Sequence, residues 1–200
     1  MPGLGTHDDR IELMASQVRA LFGTVPETLE DFAFASQSTQ AEALKFFIEW
    51  FRAGKWRRTG IIWWNLLDGW PQFSDAIVDY YLVRKRAFEV VKRAQAPVCL
   101  ILSEPAGGRQ DVVVSNDTHH DLEVAFTIRD ERTGAVVLDG SCLARADSVS
   151  PAGTIPVPTN QTLYGLTWHS DLGPARSHYL LGDPPFSLAD YKRWTSRVGL

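Results

Sequence analysis

The sequence is poor in the features that identify most small proteins at sight. Its 200 residues hold two cysteines, Cys99 and Cys142. Two thiols build no disulfide framework and are too few for a thiolate zinc site. No apolar run approaches the roughly 20 residues needed to cross a bilayer. Met1-Pro2-Gly3-Leu4-Gly5-Thr6-His7-Asp8-Asp9 has neither a basic start nor an apolar stretch after it, so a secretory leader is not expected there and a cytoplasmic protein is. Charge of one sign is also lacking. Twenty Lys+Arg face twenty-four Asp+Glu, net -4, which argues against phosphate-neutralising contact with nucleic acid. There is no P-loop, no G-x-S-x-G, no H-E-x-x-H and no G-x-G-x-x-G after a strand, so neither a cofactor nor a metal is expected.

Aromatic side chains are plentiful and unevenly spread. Fifteen of the 22 lie in residues 1–97, while eight of the eleven prolines lie at or beyond Pro97. Basic and acidic residues balance at 12 each before that point and stand at 8 and 12 after it. The shift predicts two domains, 1–96 and 97–200.

The first half reads as helix, helix, strand, helix. Asp8 or Asp9 can cap a helix carrying Ile11, Met14, Val18 and Leu21, which Gly23 and Pro26 would end. Thr28 followed by Glu30 and Asp31 starts a second helix that runs to Gly54, with a weak patch at Gln37-Ser38-Thr39. Gly60-Ile61-Ile62-Trp63-Trp64-Asn65 is a continuous β-branched and aromatic run, the pattern of a strand buried on both faces. Ala87, Val90, Val91 and Ala94 return to helical spacing.

The second half changes period. Runs at 111–115, 122–128, 136–138, 141–144, 154–157, 162–168 and 178–181 are short, and turn residues separate several of them. About seven strands in 90 residues predict an antiparallel sandwich of immunoglobulin type, with core candidates Val113, Val124, Phe126, Leu163 and Trp168. A last helical turn is expected around Trp194.

Few residues invite a chemical role. His119 and His120 are adjacent, so on a strand they would face opposite ways; an exposed turn is the better reading. Cys99 and Cys142 read as small buried apolar residues, and Arg84-Lys85-Arg86 as a solvated helix start. Gly60–Pro71 resists so plain a reading. Trp63, Trp64 and Trp70 fall within eight residues, beside Asn65 and Asp68. Each indole N–H seeks a partner when buried, so the cluster is either a packed aromatic core or a platform for the C–H face of a sugar.

The run G-I-I-W-W-N-L-L-D-G-W-P-Q-F-S-D-A-I-V-D-Y-Y (Gly60–Tyr81) resembles the end of the catalytic barrel in β-mannosidase-like members of glycoside hydrolase family 2. Ser36–Arg52 is similar to that family's S-Q-x-x-Q-A-E helix, and His178–Phe186, H-Y-L-L-G-D-P-P-F, to a motif near the end of the following sandwich. The resemblance implies an α+β, multidomain chain: the last βα units of a (β/α)8 TIM barrel, with Gly60–Asn65 as the eighth strand, then an immunoglobulin-like antiparallel β-sandwich as an accessory domain. It implies that Trp64 is the sugar platform, with Asn65 and Asp68 beside it as rim or loop-bracing residues, and that Trp63 packs against helices. The partner would be a carbohydrate, a β-mannoside or related β-glycoside, and neither nucleic acid nor membrane.

The family's two catalytic carboxylates sit in motifs that this sequence does not contain. Glu42 and Glu49 belong to the helix before the tryptophans, and Glu104 to the sandwich. The resemblance therefore implies the C-terminal portion of a retaining β-glycosidase, inactive alone, with both carboxylates upstream of Met1. The second reading is a stand-alone carbohydrate-binding or interaction module. A single barrel strand with apolar helices also leaves edges and faces uncovered, so the isolated chain is expected to self-associate.

Overall fold

The computed structural model describes residues 8–73 and 75–200. Residues 1–7 and the side chains of Asp8 and Asp9 lie outside that description, and with them the expected first cap and the expectation about a leader.

Helix α1 spans Asp8–Phe22. Gly23 ends it at φ +81°, its N–H donating to Arg19 O at 2.8 Å. A side chain there would be strained, and its Cβ would stand 3.1 Å from Pro185 Cβ. Helix α2, Leu29–Ala53, begins where the sequence marks it: Thr28 Oγ1 accepts from Asp31 N at 3.2 Å. It runs to Gly54 without a break at Gln37-Ser38-Thr39, because Ser38 is buried and Thr39 turns its hydroxyl back to Ser36 O. Helix α3 covers Arg86–Ala94 and buries Ala87, Val90, Val91 and Ala94.

The expected strand at Gly60–Asn65 does not form. The segment pairs with no strand among the described residues. A strand buried on both faces draws its ladder from two neighbours, and the described chain supplies none there. Ile62 is 97% exposed as a result.

Seven strands follow: β1 Val98–Leu102, β2 Arg109–Asn116, β3 Leu122–Asp130, β4 Val136–Ala144, β5 Ser148–Pro156, β6 Thr162–Ser170 and β7 Gly173–Leu181. They form two antiparallel sheets, ordered β1-β2-β5 and β4-β3-β6-β7. Helix α4, Leu188–Arg197, closes the chain, with Ser187 Oγ accepting from Asp190 N at 3.2 Å.

Residues of both sheets form one core: Leu100, Val112, Val114 and Ile155 from one, Val124, Phe126, Ile128 and Trp168 from the other. Two core expectations need correction. Val113 is only partly buried, because Val112 and Val114 hold the inward face. Leu163 is buried in a separate cluster with α1, α2 and α4, where Val18, Phe22, Ala35, Tyr191 and Trp194 meet. Strand β6 thus packs one side chain set on the sandwich core and another on the helices. A third cluster joins Ala41 and Ile48 of α2 to Ala87, Val90 and Val91 of α3.

Polar contacts bind the helical half to the sheets. Arg52 and Lys55 converge on Asp117 at 3.0 and 2.8 Å, Lys55 also meets Asp147 at 2.9 Å, and Arg93 donates to the carbonyls of Val198 and Gly199. No helix among the described residues is long and apolar enough to cross a membrane.

Candidate functional site

From Ile61 to Trp64 burial alternates along the chain, the pattern of neighbouring side chains pointing to opposite sides. Ile61 and Trp63 pack against the α2–α3 cluster. Ile62 and Trp64 turn outward, Trp64 with 77% of its surface exposed. The two adjacent indoles therefore differ: Trp63 packs inward as expected, and Trp64 presents a free face. The peptide between Trp64 and Asn65 is cis.

Beyond Trp64 the chain folds back on itself through a short set of backbone bonds. Ile77 N donates to Asn65 O at 3.1 Å, Val78 N to Leu66 O at 2.9 Å, and Asp68 N to Val78 O at 3.1 Å. Lys85 N donates to Ile77 O at 2.9 Å, and Asp79 Oδ1 accepts from the N–H groups of Tyr81 and Val83. Helix α2 supports this turn from behind: Gln40 Nε2 donates to Asp75 O at 2.6 Å, and Gln37 Oε1 accepts from Arg86 N at 3.0 Å, capping α3.

The three candidate site residues meet different fates. Trp64 is exposed. Asn65 is half-buried, and its Oδ1 is buried without a hydrogen-bond partner among the described residues. The Asp68 side chain is fully buried: Gln72 Nε2 donates to Oδ1 at 2.7 Å and Lys85 Nζ stands 3.2 Å from Oδ2. Asp68 is thus placed beneath the turn and not on its rim. Lys85 corrects the reading of Arg84-Lys85-Arg86 as a solvated face. Its side chain is 11% exposed, and the Arg86 guanidinium lies 4.1 Å from the centre of the Phe34 ring. Only Arg84 of the three is exposed.

The acids of α2 form a second polar centre. Glu42 Oε1 accepts from Tyr191 Oη at 2.6 Å and lies 2.8 Å from His178 Nε2. His178 is 1% exposed and its Nδ1 has no partner among the described residues; against a carboxylate, Nε2–H is the donor. Burial pushes the Glu42 carboxyl up, but His178, Lys45 and the Tyr191 hydroxyl together hold it down at about 2. Burial, with the Glu42 carboxylate, raises Tyr191 well above the ordinary phenol range, which keeps it a donor. One turn along, Lys45 and Glu49 form a buried pair at 2.5 Å, and Ser177 Oγ donates to Glu49 at 3.2 Å. The pair lies at a cleft of 1160 Å³ between α2 and the sandwich, which Trp50, Tyr179 and Glu104 also line. Tyr179 Oη donates to Glu104 at 2.8 Å.

No group of three or more His, Cys, Asp or Glu among the described residues could hold a metal ion. His119 and His120 are exposed in a turn. Cys99 is fully buried and its thiol is pushed up to about 12, chiefly by that burial.

No family model matches the sequence. Curated relatives do match. A β-mannosidase B of Thermothelomyces thermophilus is 39% identical over 80 residues, 38% of this chain and 9% of that protein. A β-mannosidase B of Aspergillus flavus is 32% identical over 121 residues, 55% of this chain and 14% of that protein. The chain therefore spans a small part of the length of the relatives it matches. Among solved structures, a β-D-mannosidase from Dictyoglomus thermophilum superposes with TM-score 0.72 at 23% identity, over 90% of this chain and 23% of that one. An exo-chitosanase from Amycolatopsis orientalis gives TM-score 0.70 at 20% identity, over 86% and 22%. At such identities the structures speak for the fold. By sequence and by fold together, this chain is similar to part of a β-mannosidase-like glycoside hydrolase, as a C-terminal portion of such a protein would be.

Proposed function

We propose that the chain is the C-terminal portion of a retaining β-glycosidase of the β-mannosidase type. Residues 1–96 would end its (β/α)8 barrel, and residues 97–200 would be an immunoglobulin-like accessory domain. The sheet order β1-β2-β5 over β4-β3-β6-β7 supports the second assignment. One observation carries the sugar reading: the outward face of Trp64, 77% exposed. An indole face takes the C–H side of a pyranose. Asp68 serves this site as a brace beneath it.

The chain alone would not hydrolyse a glycoside. A retaining mechanism needs two carboxylates about 5–5.5 Å apart on either side of the bond, and the acids near Trp64 are engaged otherwise: Asp68 with Lys85, Asp75 with Arg10 at 2.7 Å, and Asp79 with its own turn. The test has two arms. The purified chain is incubated with aryl β-mannoside, β-glucoside and β-galactoside; turnover above buffer that disappears on changing one Asp or Glu would overturn the reading. In a protein carrying the complete barrel, Trp64→Ala is expected to lower kcat/KM about 30-fold. Covering an indole face removes on the order of 80 Å² from water, about 2 kcal/mol. An unchanged kcat/KM in a folded variant would remove Trp64 from the site.

A further inference from the structure

We propose that Lys85 is a positioning residue for Trp64, acting through its buried ion pair with Asp68. This rests on the reading of Trp64 as the sugar face, and it adds a residue that neither the tryptophan block nor its resemblance includes.

The bonds around the turn form a closed circuit. Asn65 O is held by Ile77 N, Ile77 O is held by Lys85 N, and the Lys85 ammonium returns to Asp68 Oδ2, three residues beyond Asn65. The crossing bond from Asp68 N to Val78 O ties the middle. Lys85 thus contributes twice, with its backbone N–H and with its side chain. Trp64 enters this circuit at its first member, while Trp63 before it is anchored on the α2–α3 cluster. The direction of the exposed indole is fixed between those two anchors.

The ion pair is the part of the circuit that substitution can test. Asp68 has 0% and Lys85 11% of its side chain exposed. Without the ammonium, a carboxylate buried at that depth keeps Gln72 as a partner but loses its counter-charge, and such a group draws water or moves outward. Either response shifts residues 65–68 and swings Trp64 with them. Helix α3 begins at Arg86, and Gln37 caps it independently of Lys85, so the helix should survive the change.

The experiment uses the 200-residue chain labelled with 5-fluorotryptophan, its Trp64 fluorine resonance assigned with Trp64→Phe. In Lys85→Met the Trp64 line is expected to move by more than its width or to split, while the Trp63, Trp168 and Trp194 lines stay in place. Amide hydrogen exchange at Asp68 and Val78 should speed about tenfold, with β2, β3 and β6 unchanged. The variant Asp68→Asn/Lys85→Met opens the same circuit by removing the tie between residues 85 and 68 without burying a lone charge; it covers the case in which Lys85→Met does not fold, and a smaller displacement of the Trp64 line, from the lost tie alone, is expected from it. A Trp64 line at its wild-type position in either folded variant would overturn the proposal. Faster exchange with Trp64 unmoved would also overturn it, reducing Lys85 to a local stabiliser. No sugar enters these measurements, so they decide the role of Lys85 whether or not the activity tests uphold Trp64 as a sugar platform.

Discussion

Glu42→Ala is expected to lower the unfolding free energy by about 3–5 kcal/mol, the usual effect of removing one member of a buried charged network. Glu42 sits on α2, His178 on β7 and Tyr191 on α4, and a single carboxylate oxygen joins all three. Taking it away strands the His178 and Tyr191 donors, and His178 Nδ1 already lacks a partner among the described residues. Urea denaturation of wild type and variant at pH 7 measures the loss. A difference below about 1 kcal/mol would show that water replaces the carboxylate there. The same centre predicts a pH dependence. Glu42 is held at about 2 in the folded chain against 4.5 for an ordinary glutamate. A depressed carboxyl stabilises the fold above the unfolded value, so this contribution is complete above pH 4.5 and is lost as pH falls from there towards 2. Glu42→Gln, which cannot ionise, should flatten the stability curve across that window and leave the curve above it parallel to wild type.

This centre also shows what a sequence can and cannot reveal. Glu42 and His178 each lie in a motif that stands out along the chain, but 136 residues separate them. Periodicity reports which way a side chain faces and not what it will meet. Local signals served well where the cause is local. Thr28 caps α2, Gly23 and Gly54 stop helices, and alternation in β3 matches its buried and exposed faces. Val98–Leu102 is apolar throughout and fully buried, and without alternation it gives no strand period to read. Three consecutive valines at 112–114 hide which face is inward for the same reason. Between two arginines Lys85 reads as part of a solvated run, and only the fold brings Asp68, 17 residues earlier, to its ammonium. Gly60–Asn65 has the composition of a buried strand, but a strand needs neighbours, and composition cannot supply them.

The isolated chain is expected to self-associate at low micromolar concentration through the surface around that unpaired segment. Ile62, Trp64, Trp70, Phe73, Tyr81 and Leu82 are each more than half exposed and lie within 21 residues of one another. Side chains of this size, so exposed, present on the order of 600 Å² of mostly apolar surface. The largest patch on an ordinary monomer is of that order and is often an interaction site. Two copies meeting face to face would bury about 1,200 Å², the lower bound of a specific interface. We propose that this face is covered by a second copy when nothing else is present to cover it. The sheets are the competing source of association, since β4 and β7 are edge strands. Substitution separates the two. Trp70→Glu places a charge on one of these exposed rings, outside both sheets, and the loss of a large aromatic anchor weakens an interface by about 2 kcal/mol, roughly 30-fold in affinity. Sedimentation velocity should show wild type heavier than 22.4 kDa and Trp70→Glu shifted towards that mass. Association that Trp70→Glu leaves unchanged would assign it to the strand edges. A wild-type monomer that binds no hydrophobic dye would mean that the exposed rings fold onto one another once the chain is in water.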